Sequence, residues 1–258
     1  MARQRVLVDM LIAAAPDDVW TALRDPEVVG RWFGWDYEGL DAEIRLIFGD
    51  AVTADDAART LSWPDGDRFE LEAEGDGTRL RVARTHHDEF DGAYDPVDEG
   101  WITFAQQLRF ALERHPGQER RTVSVHGLGL GPHEAPLLSE LGLRMLGDDP
   151  VGNAYEVQRA DGSTFTGEVF FQTDLQIGLT VADEGDALLV VARTPPSAAP
   201  PDGEVMLVLS VYDVDEERLA EVERRWTAWW SGPEEADHAD GADASEGASA
   251  GTGDASRH

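Results

Sequence analysis

The stretch IAAAPDDVWTALRDPEVVGRWFG, from Ile12 to Gly34, decides the fold, because it reads as two short helices joined with almost no linker. Pro16 suits the first position of a helix, where its missing N–H costs nothing, and the two acidic residues after it complement the positive helix N-terminus. Asp25 and Pro26 end this helix and begin the next, as N-cap and first helical residue. The pattern therefore predicts a helix pair directly after a strand over Arg5 to Ile12.

Short strand-like segments separated by turn residues follow the helix pair. Their predicted ranges are Trp35 to Glu38, Ala42 to Phe48, Thr60 to Trp63, Arg68 to Ala73 and Thr78 to His86. The segment Gly100 to His115 then predicts a helix with one apolar stripe. This order of elements predicts an α+β fold with an antiparallel sheet covered on one side.

Three motifs of this first unit resemble one superfamily. They are APDDVWTALRDPEVVGRWFG, GDGTRLRVARTHH at Gly75 to His87, and GWITFAQQLRFALE at Gly100 to Glu113. Together they resemble the START-like, helix-grip (SRPBCC) superfamily, which also contains pollen allergens and polyketide cyclases, and they look closest to the branch named after the activator of heat-shock protein 90 ATPase. The resemblance implies a curved antiparallel sheet wrapped around a C-terminal helix, with a cavity between them. None of these motifs is specific to one biochemical activity.

A second unit of similar pattern follows. Its predicted strands are Thr122 to Leu128, Asn153 to Arg159, Ser163 to Gln172, Leu175 to Val181, Ala187 to Arg193 and Val205 to Tyr212, and its predicted helices are Pro136 to Leu146 and Asp215 to Trp230. The segment YDVDEERLAEVERRW echoes YDPVDEGWITFAQQL at an offset of about 118 residues. We interpret the second unit as a diverged tandem copy, with an unrelated α+β domain or an extension of the first sheet as the alternatives.

The predicted domains are therefore a helix-grip domain over residues 1–118 and a second α+β domain over residues 119–232. Residues 233–258 contain nothing apolar larger than alanine, and we expect a disordered acidic tail there.

The composition excludes several classes of function. The chain has 52 acidic residues against 21 basic ones, a net charge of −31, and it contains no cysteine and no lysine. Such a field repels phosphate backbones, so we expect no nucleic-acid partner. Disulfides, thiolate metal sites, Schiff-base chemistry and the lysine of a P-loop are absent as well. No run of 18 apolar residues and no signal-peptide pattern is found, so we expect a soluble cytoplasmic protein without membrane insertion.

The candidate ligand-binding residues face the predicted grip interior. The apolar candidates are Trp32, Phe33, Phe69, Leu71, Leu80, Val82, Trp101, Phe104 and Leu108. Alternation along one strand also points Arg84 and His86 inward, and with Tyr94 they would supply the polar groups that orient a ligand. The alternative is that Arg84 pairs with one of the many carboxylates and that His86 lies at an exposed strand end.

The histidine-rich segment from His86 to Glu89 has metal-ligand atoms, but adjacent residues of a strand point to opposite faces, so we expect no metal site. We expect no cofactor either. The leading prediction is a non-enzymatic protein that binds a small hydrophobic molecule. The alternatives are a co-chaperone-like interaction domain with a protein partner, and a polyketide cyclase or hydrolase-type enzyme that uses Arg84, His86 and Tyr94.

Overall fold

The computed structural model describes residues 4–85, 94–131, 136–143, 150–159 and 162–235. The elements of the first copy are β1 (Gln4–Ile12), α1 (Pro16–Arg24), α2 (Pro26–Val29), α3 (Leu40–Arg45), β2 (Thr53–Asp55), β3 (Thr60–Ser62), β4 (Arg68–Glu74), β5 (Gly77–Thr85) and α4 (Pro96–Arg114). A π-helical turn over Leu46–Asp50 continues α3.

The predicted helix pair is confirmed, and its end is stabilised from far along the chain. The Asp25 carboxylate accepts a hydrogen bond of 3.0 Å from the backbone N–H of Glu27, as an N-cap should. The buried guanidinium of Arg120 donates to the carbonyls of Trp32 and Phe33 at 2.9 and 2.6 Å, and to that of the following glycine. Carbonyls that a short helix leaves without a partner are thus satisfied by a residue of the second copy.

Strands β1 to β5 form sheet 1 in the antiparallel order β1-β5-β4-β3-β2, so the first strand pairs with the last. The predictions of strands over Trp35 to Glu38 and Ala42 to Phe48 are wrong. The second segment is helical because Ile44 and Phe48, four residues apart, share one buried face.

The second copy repeats this topology. Its elements are β6 (Arg120–Gly129), α5 (Pro136–Glu140), β7 (Ala154–Gln158), β8 (Thr164–Gln172), β9 (Gln176–Val181), β10 (Ala187–Thr194), β11 (Glu204–Tyr212) and α6 (Glu216–Glu235). Sheet 2 has the antiparallel order β6-β11-β10-β9-β8-β7, again with the first strand paired to the last and the others in sequence. The predicted α+β fold with two tandem helix-grip copies is confirmed.

Helix α4 lies between the two sheets. On one side its Leu108 shares a hydrophobic core with Leu80 of sheet 1. On the other side Arg109 donates a 3.0 Å hydrogen bond to the carbonyl of Phe170, and the ring of Phe110 lies 5.0 Å from that of Phe170. Sheet 2 therefore packs over the helix of the first copy, while α6 covers the far face of sheet 2 through side chains that include Trp226.

The exact domain limits at residues 118 and 232 stay a prediction, and α6 runs to Glu235, three residues into the predicted tail. Residues 236–258 lie outside the described part of the chain, as do residues 144–146 of the predicted Pro136 to Leu146 helix. In the ranges that the structure describes, no helix combines the length and the apolar character needed to cross a membrane.

Candidate active site

The space between sheet 1 and α4, where a cavity was expected, contains a cluster of aromatic side chains. The ring of Trp101 lies 5.0 Å from that of Phe69 and 5.5 Å from that of Trp63. Phe48 extends the cluster at 6.3 Å from Trp101. These are the distances of packed aromatic pairs, so this region is hydrophobic core.

A cavity of about 410 Å3 lies instead where α4 meets sheet 2. Its lining residues are Phe33, Trp35, Glu43, Ile47, Tyr94, Pro96, Val97, Glu99, Gly100, Trp101, Thr103, Phe104, Ala192, Thr194 and Met206. The last three come from β10 and β11, and among the described lining residues none belongs to sheet 1. The volume and the mostly apolar walls are typical of a small-molecule site.

The structure separates the predicted site residues into groups. Four line this cavity: Phe33, Tyr94, Trp101 and Phe104. Five are side chains of the first core: Trp32, Phe69, Leu80, Val82 and Leu108. Leu71 belongs to the same core and also borders a separate, open depression of about 320 Å3 among charged side chains. His86 lies outside the described residues.

Arg84 is buried, but it is bound by carboxylates and does not line the cavity. Its Nε lies 2.9 Å from Asp67 Oδ1, and its Nη1 lies 2.9 Å from Asp95 Oδ2 and 2.7 Å from Asp98 Oδ1. The indole N–H of Trp101 donates a further 2.9 Å hydrogen bond to Asp67. Arg84 thus joins β5 to the first turn of α4, which is the ion-paired alternative that the sequence left open.

Glu99 lines the cavity and is hydrogen-bonded to a side chain of sheet 2. Gln176 of β9 donates from Nε2 to Glu99 Oε2 at 2.6 Å and to the Glu99 carbonyl at 2.9 Å. Thr103 donates to Gln176 Oε1 at 2.7 Å, so both ends of the amide have partners that fix its orientation. Burial raises the pKa of Glu99 above that of an ordinary glutamate, although the hydrogen bond from Gln176 opposes the shift.

Three other polar side chains lie around the cavity. The hydroxyls of Tyr94 and Thr194 are 3.3 Å apart and join the first copy to the second. Glu43 accepts a 2.7 Å hydrogen bond from the hydroxyl of Tyr37. With Thr103 and Glu99, the described lining thus contains three hydroxyl-bearing residues and two carboxyl groups among aromatic walls.

Sequence reasoning did not find Glu43, Glu99, Thr194 or Gln176. Glu99 lies in the first turn of a helix, where acidic residues are common for electrostatic reasons alone. Gln176 lies 77 residues further along the chain, and no local pattern links the two. The sequence signal that pointed toward this site was the predicted duplication, because it implied a second sheet that must pack against another element of the chain.

The arrangement suits proton transfer. A carboxyl group with a raised pKa in an apolar cavity can take a proton from a bound molecule and return it near neutral pH. Gln176 donates to one carboxylate oxygen of Glu99, and Glu99 lines the cavity.

Comparisons with known proteins are sparse. No protein-family profile matches the chain, and no curated protein matches it. Three solved structures align with most of it. DynU16, from the dynemicin biosynthetic locus, is 16% identical, with 88% of this chain and 95% of that chain covered and a TM-score of 0.29. The di-domain ARO/CYC BexL from the BE-7585A biosynthetic pathway is 14% identical, with 92% of each chain covered and a TM-score of 0.31. The di-domain ARO/CYC StfQ from the steffimycin biosynthetic pathway is 11% identical, with 87% of this chain and 91% of that chain covered and a TM-score of 0.32.

These findings correct the leading prediction of a non-enzymatic protein that binds its ligand between sheet and helix. Two of the three structures are described as ARO/CYC proteins of biosynthetic pathways. The cavity also lies where α4 meets sheet 2, not between α4 and sheet 1.

Proposed function

We propose that this chain is an enzyme of the cyclase type that moves a proton on a small aromatic or polyketide-like molecule, with Glu99 as the group that takes and returns the proton. One observation carries the proposal: a partly buried carboxyl group, its pKa raised by burial, opens into an apolar cavity and is oriented by Gln176. The ARO/CYC descriptions of two structural neighbours agree with it.

The proposed step balances without a further reactant. The Glu99 carboxylate takes a proton from the carbon beside a substrate carbonyl, and the resulting enolate attacks a second carbonyl of the same molecule. A carbon–carbon bond forms, and the new alkoxide receives the proton back from Glu99. The hydroxyls of Tyr94 and Thr194 share one hydrogen bond, so one of the two keeps its proton to donate to an oxygen atom on which negative charge develops.

The second copy contributes directly to this site. Gln176 and Thr194 belong to sheet 2, and Met206 adds an apolar wall from β11. Neither copy alone would hold the Glu99 carboxyl in place and also close the cavity.

The finer resemblance, to the branch named after the activator of heat-shock protein 90 ATPase, stays a prediction, as do the co-chaperone-like role, a protein partner and a cytoplasmic location. The cavity supports small-molecule chemistry, and we favour the enzyme for that reason.

The proposal is tested by deuterium exchange into 2-acetylnaphthalene, an uncharged aromatic ketone, in D2O. We expect the wild-type chain to accelerate exchange of the protons beside the carbonyl, and E99Q to lower that rate about 100-fold or more. The wild-type rate should rise with pH as Glu99 loses its proton and then level off. The exposed Glu72, on β4, gives a matched control, and E72Q should exchange like the wild type. An E99Q variant as fast as the wild type, or a wild type that accelerates nothing, would refute the proposal.

A further inference from the structure

The charged side chains among the described lining residues of the cavity are all negative. Glu43 and Glu99 are its carboxylates, and among the described lining residues there is no arginine and no histidine. A ligand in the cavity would therefore meet negative groups and no fixed positive charge from the described walls.

Two arginines beside the start of α4 are already bound by other carboxylates. Arg84 is bound by Asp67, Asp95 and Asp98, and Arg5 also contacts Asp98. Turning either side chain toward a ligand would leave buried carboxylates without a counter-charge, which is costly. The charges of Asp98, Asp174 and Asp95 also raise the pKa of Glu99, so the negative field reaches its carboxyl group.

The walls reinforce this preference. Phe33, Trp35, Trp101 and Phe104 line the cavity, and the rings of Phe33 and Phe104 lie 4.5 Å apart. The faces of aromatic rings carry partial negative charge and attract cations, while their flat surfaces suit fused-ring molecules.

We propose that the site takes an uncharged or amine-bearing polycyclic aromatic compound, prefers the amine-bearing one, and discriminates against compounds with a carboxylate or phosphate group. The proposal rests on the proposed function, since it concerns the same cavity, and it names the class of molecule that the cavity accepts. It can be tested without catalysis, because charge complementarity acts on the binding of the ligand.

Three anthracenes that share one ring system test the proposal. They are 9-(aminomethyl)anthracene, which carries an ammonium group, 9-anthracenemethanol, which is uncharged, and 9-anthracenecarboxylate. Their dissociation constants are measured with the full chain through quenching of tryptophan fluorescence, at about 0.15 M ionic strength so that distant charges are screened. We expect the ammonium compound to bind about tenfold or more tightly than the carboxylate, with the alcohol between them.

Two double variants separate the cavity from the general charge of the chain. E43Q/E99Q should bring the ammonium and carboxylate affinities close together. E72Q/E156Q removes the same number of charges from exposed strand positions and should keep the wild-type ratio. Thermal unfolding of both variants checks that they fold. If E43Q/E99Q does not fold, the single variant E43Q replaces it, and its preference for the ammonium compound over the carboxylate should be partly reduced.

Equal binding of ammonium and carboxylate, a preference that survives in E43Q/E99Q, or no binding of any of the three would overturn the proposal. A chain that binds the ammonium compound selectively but does not exchange the protons of 2-acetylnaphthalene would keep this inference and lose the proposed enzyme.

Discussion

Glu99 experiences two opposing effects. Its position in the first turn of α4 places it near the positive end of the helix dipole, which favours the charged carboxylate. Burial beside aromatic rings disfavours the same charged form, and the pKa of Glu99 is raised because burial dominates. A residue type that usually stabilises a helix start is here placed where it costs stability and gains reactivity.

This cost predicts a pH-dependent effect of E99Q on stability. A carboxyl group whose pKa is higher in the folded than in the unfolded protein contributes stability at low pH and loses it as pH rises through the folded pKa. E99Q should therefore raise the free energy of unfolding at pH 7, by less than about 1 kcal/mol because the group is only partly buried.

Urea titrations of both proteins at pH 7 and at pH 4 measure the effect. The difference should shrink at pH 4, where wild-type Glu99 becomes protonated and resembles glutamine. An E99Q variant that is less stable than the wild type at pH 7 would contradict this account.

At the scale of elements, sequence periodicity predicted which side of a strand is buried better than it predicted which residues contact that side. Alternation along β5 placed Arg84 on the buried face with Leu80 and Val82, and the structure agrees. The three carboxylates that bind Arg84 come from a turn and from the start of a helix, which alternation along one strand cannot reveal. The helix at Ala42 to Phe48 was missed because a short apolar segment fits a period of 2 and a period of 3.6 almost equally well.

The ion cluster around Arg84 predicts a large loss of stability in R84M. Methionine fills a similar volume but removes the buried cation of Asp67, Asp95 and Asp98, and it leaves only the more exposed Arg5 beside Asp95 and Asp98. We expect the free energy of unfolding at pH 7 to fall by about 3–5 kcal/mol. Denaturant unfolding measures this loss.

Arg81, on the same strand, gives the matched control because its side chain is exposed and pairs with Asp9 on the surface. R81M should cost about 1 kcal/mol or less. Equal losses in R84M and R81M would show that the buried cluster has no special role.

At the scale of the whole molecule, the two copies have the same topology but different surroundings. The offset of about 118 residues aligns Glu99 with Glu217 of α6, which is exposed. Of the two described helices α4 and α6, α4 is the one covered by sheets on both sides, and of the aligned pair Glu99 and Glu217 it is Glu99 that lines the cavity. Duplication therefore supplied a second sheet that closes a site on the helix of the first copy.

The sequence predicted this duplication and the strands and last helix of the second copy, because each follows from local periodicity and internal similarity. It did not predict the cavity, because periodicity shows which faces are apolar and not which element will cover them. Glu99 and Gln176, the residues of the proposed site, come together because sheet 2 covers α4.

The central claim is that the second copy tunes the proton-carrying group of the first. The most direct test is a carbon-13 NMR titration of the Glu99 carboxyl in the wild type and in Q176L, with E99Q to identify the signal. The account predicts a pKa above that of an ordinary glutamate in the wild type. In Q176L the pKa of Glu99 should rise further, because leucine removes the hydrogen bond that stabilises the carboxylate. Q158L, at an exposed position of β7, should titrate like the wild type. A Glu99 that titrates at or below the ordinary value, or identically in the wild type and Q176L, would contradict the claim.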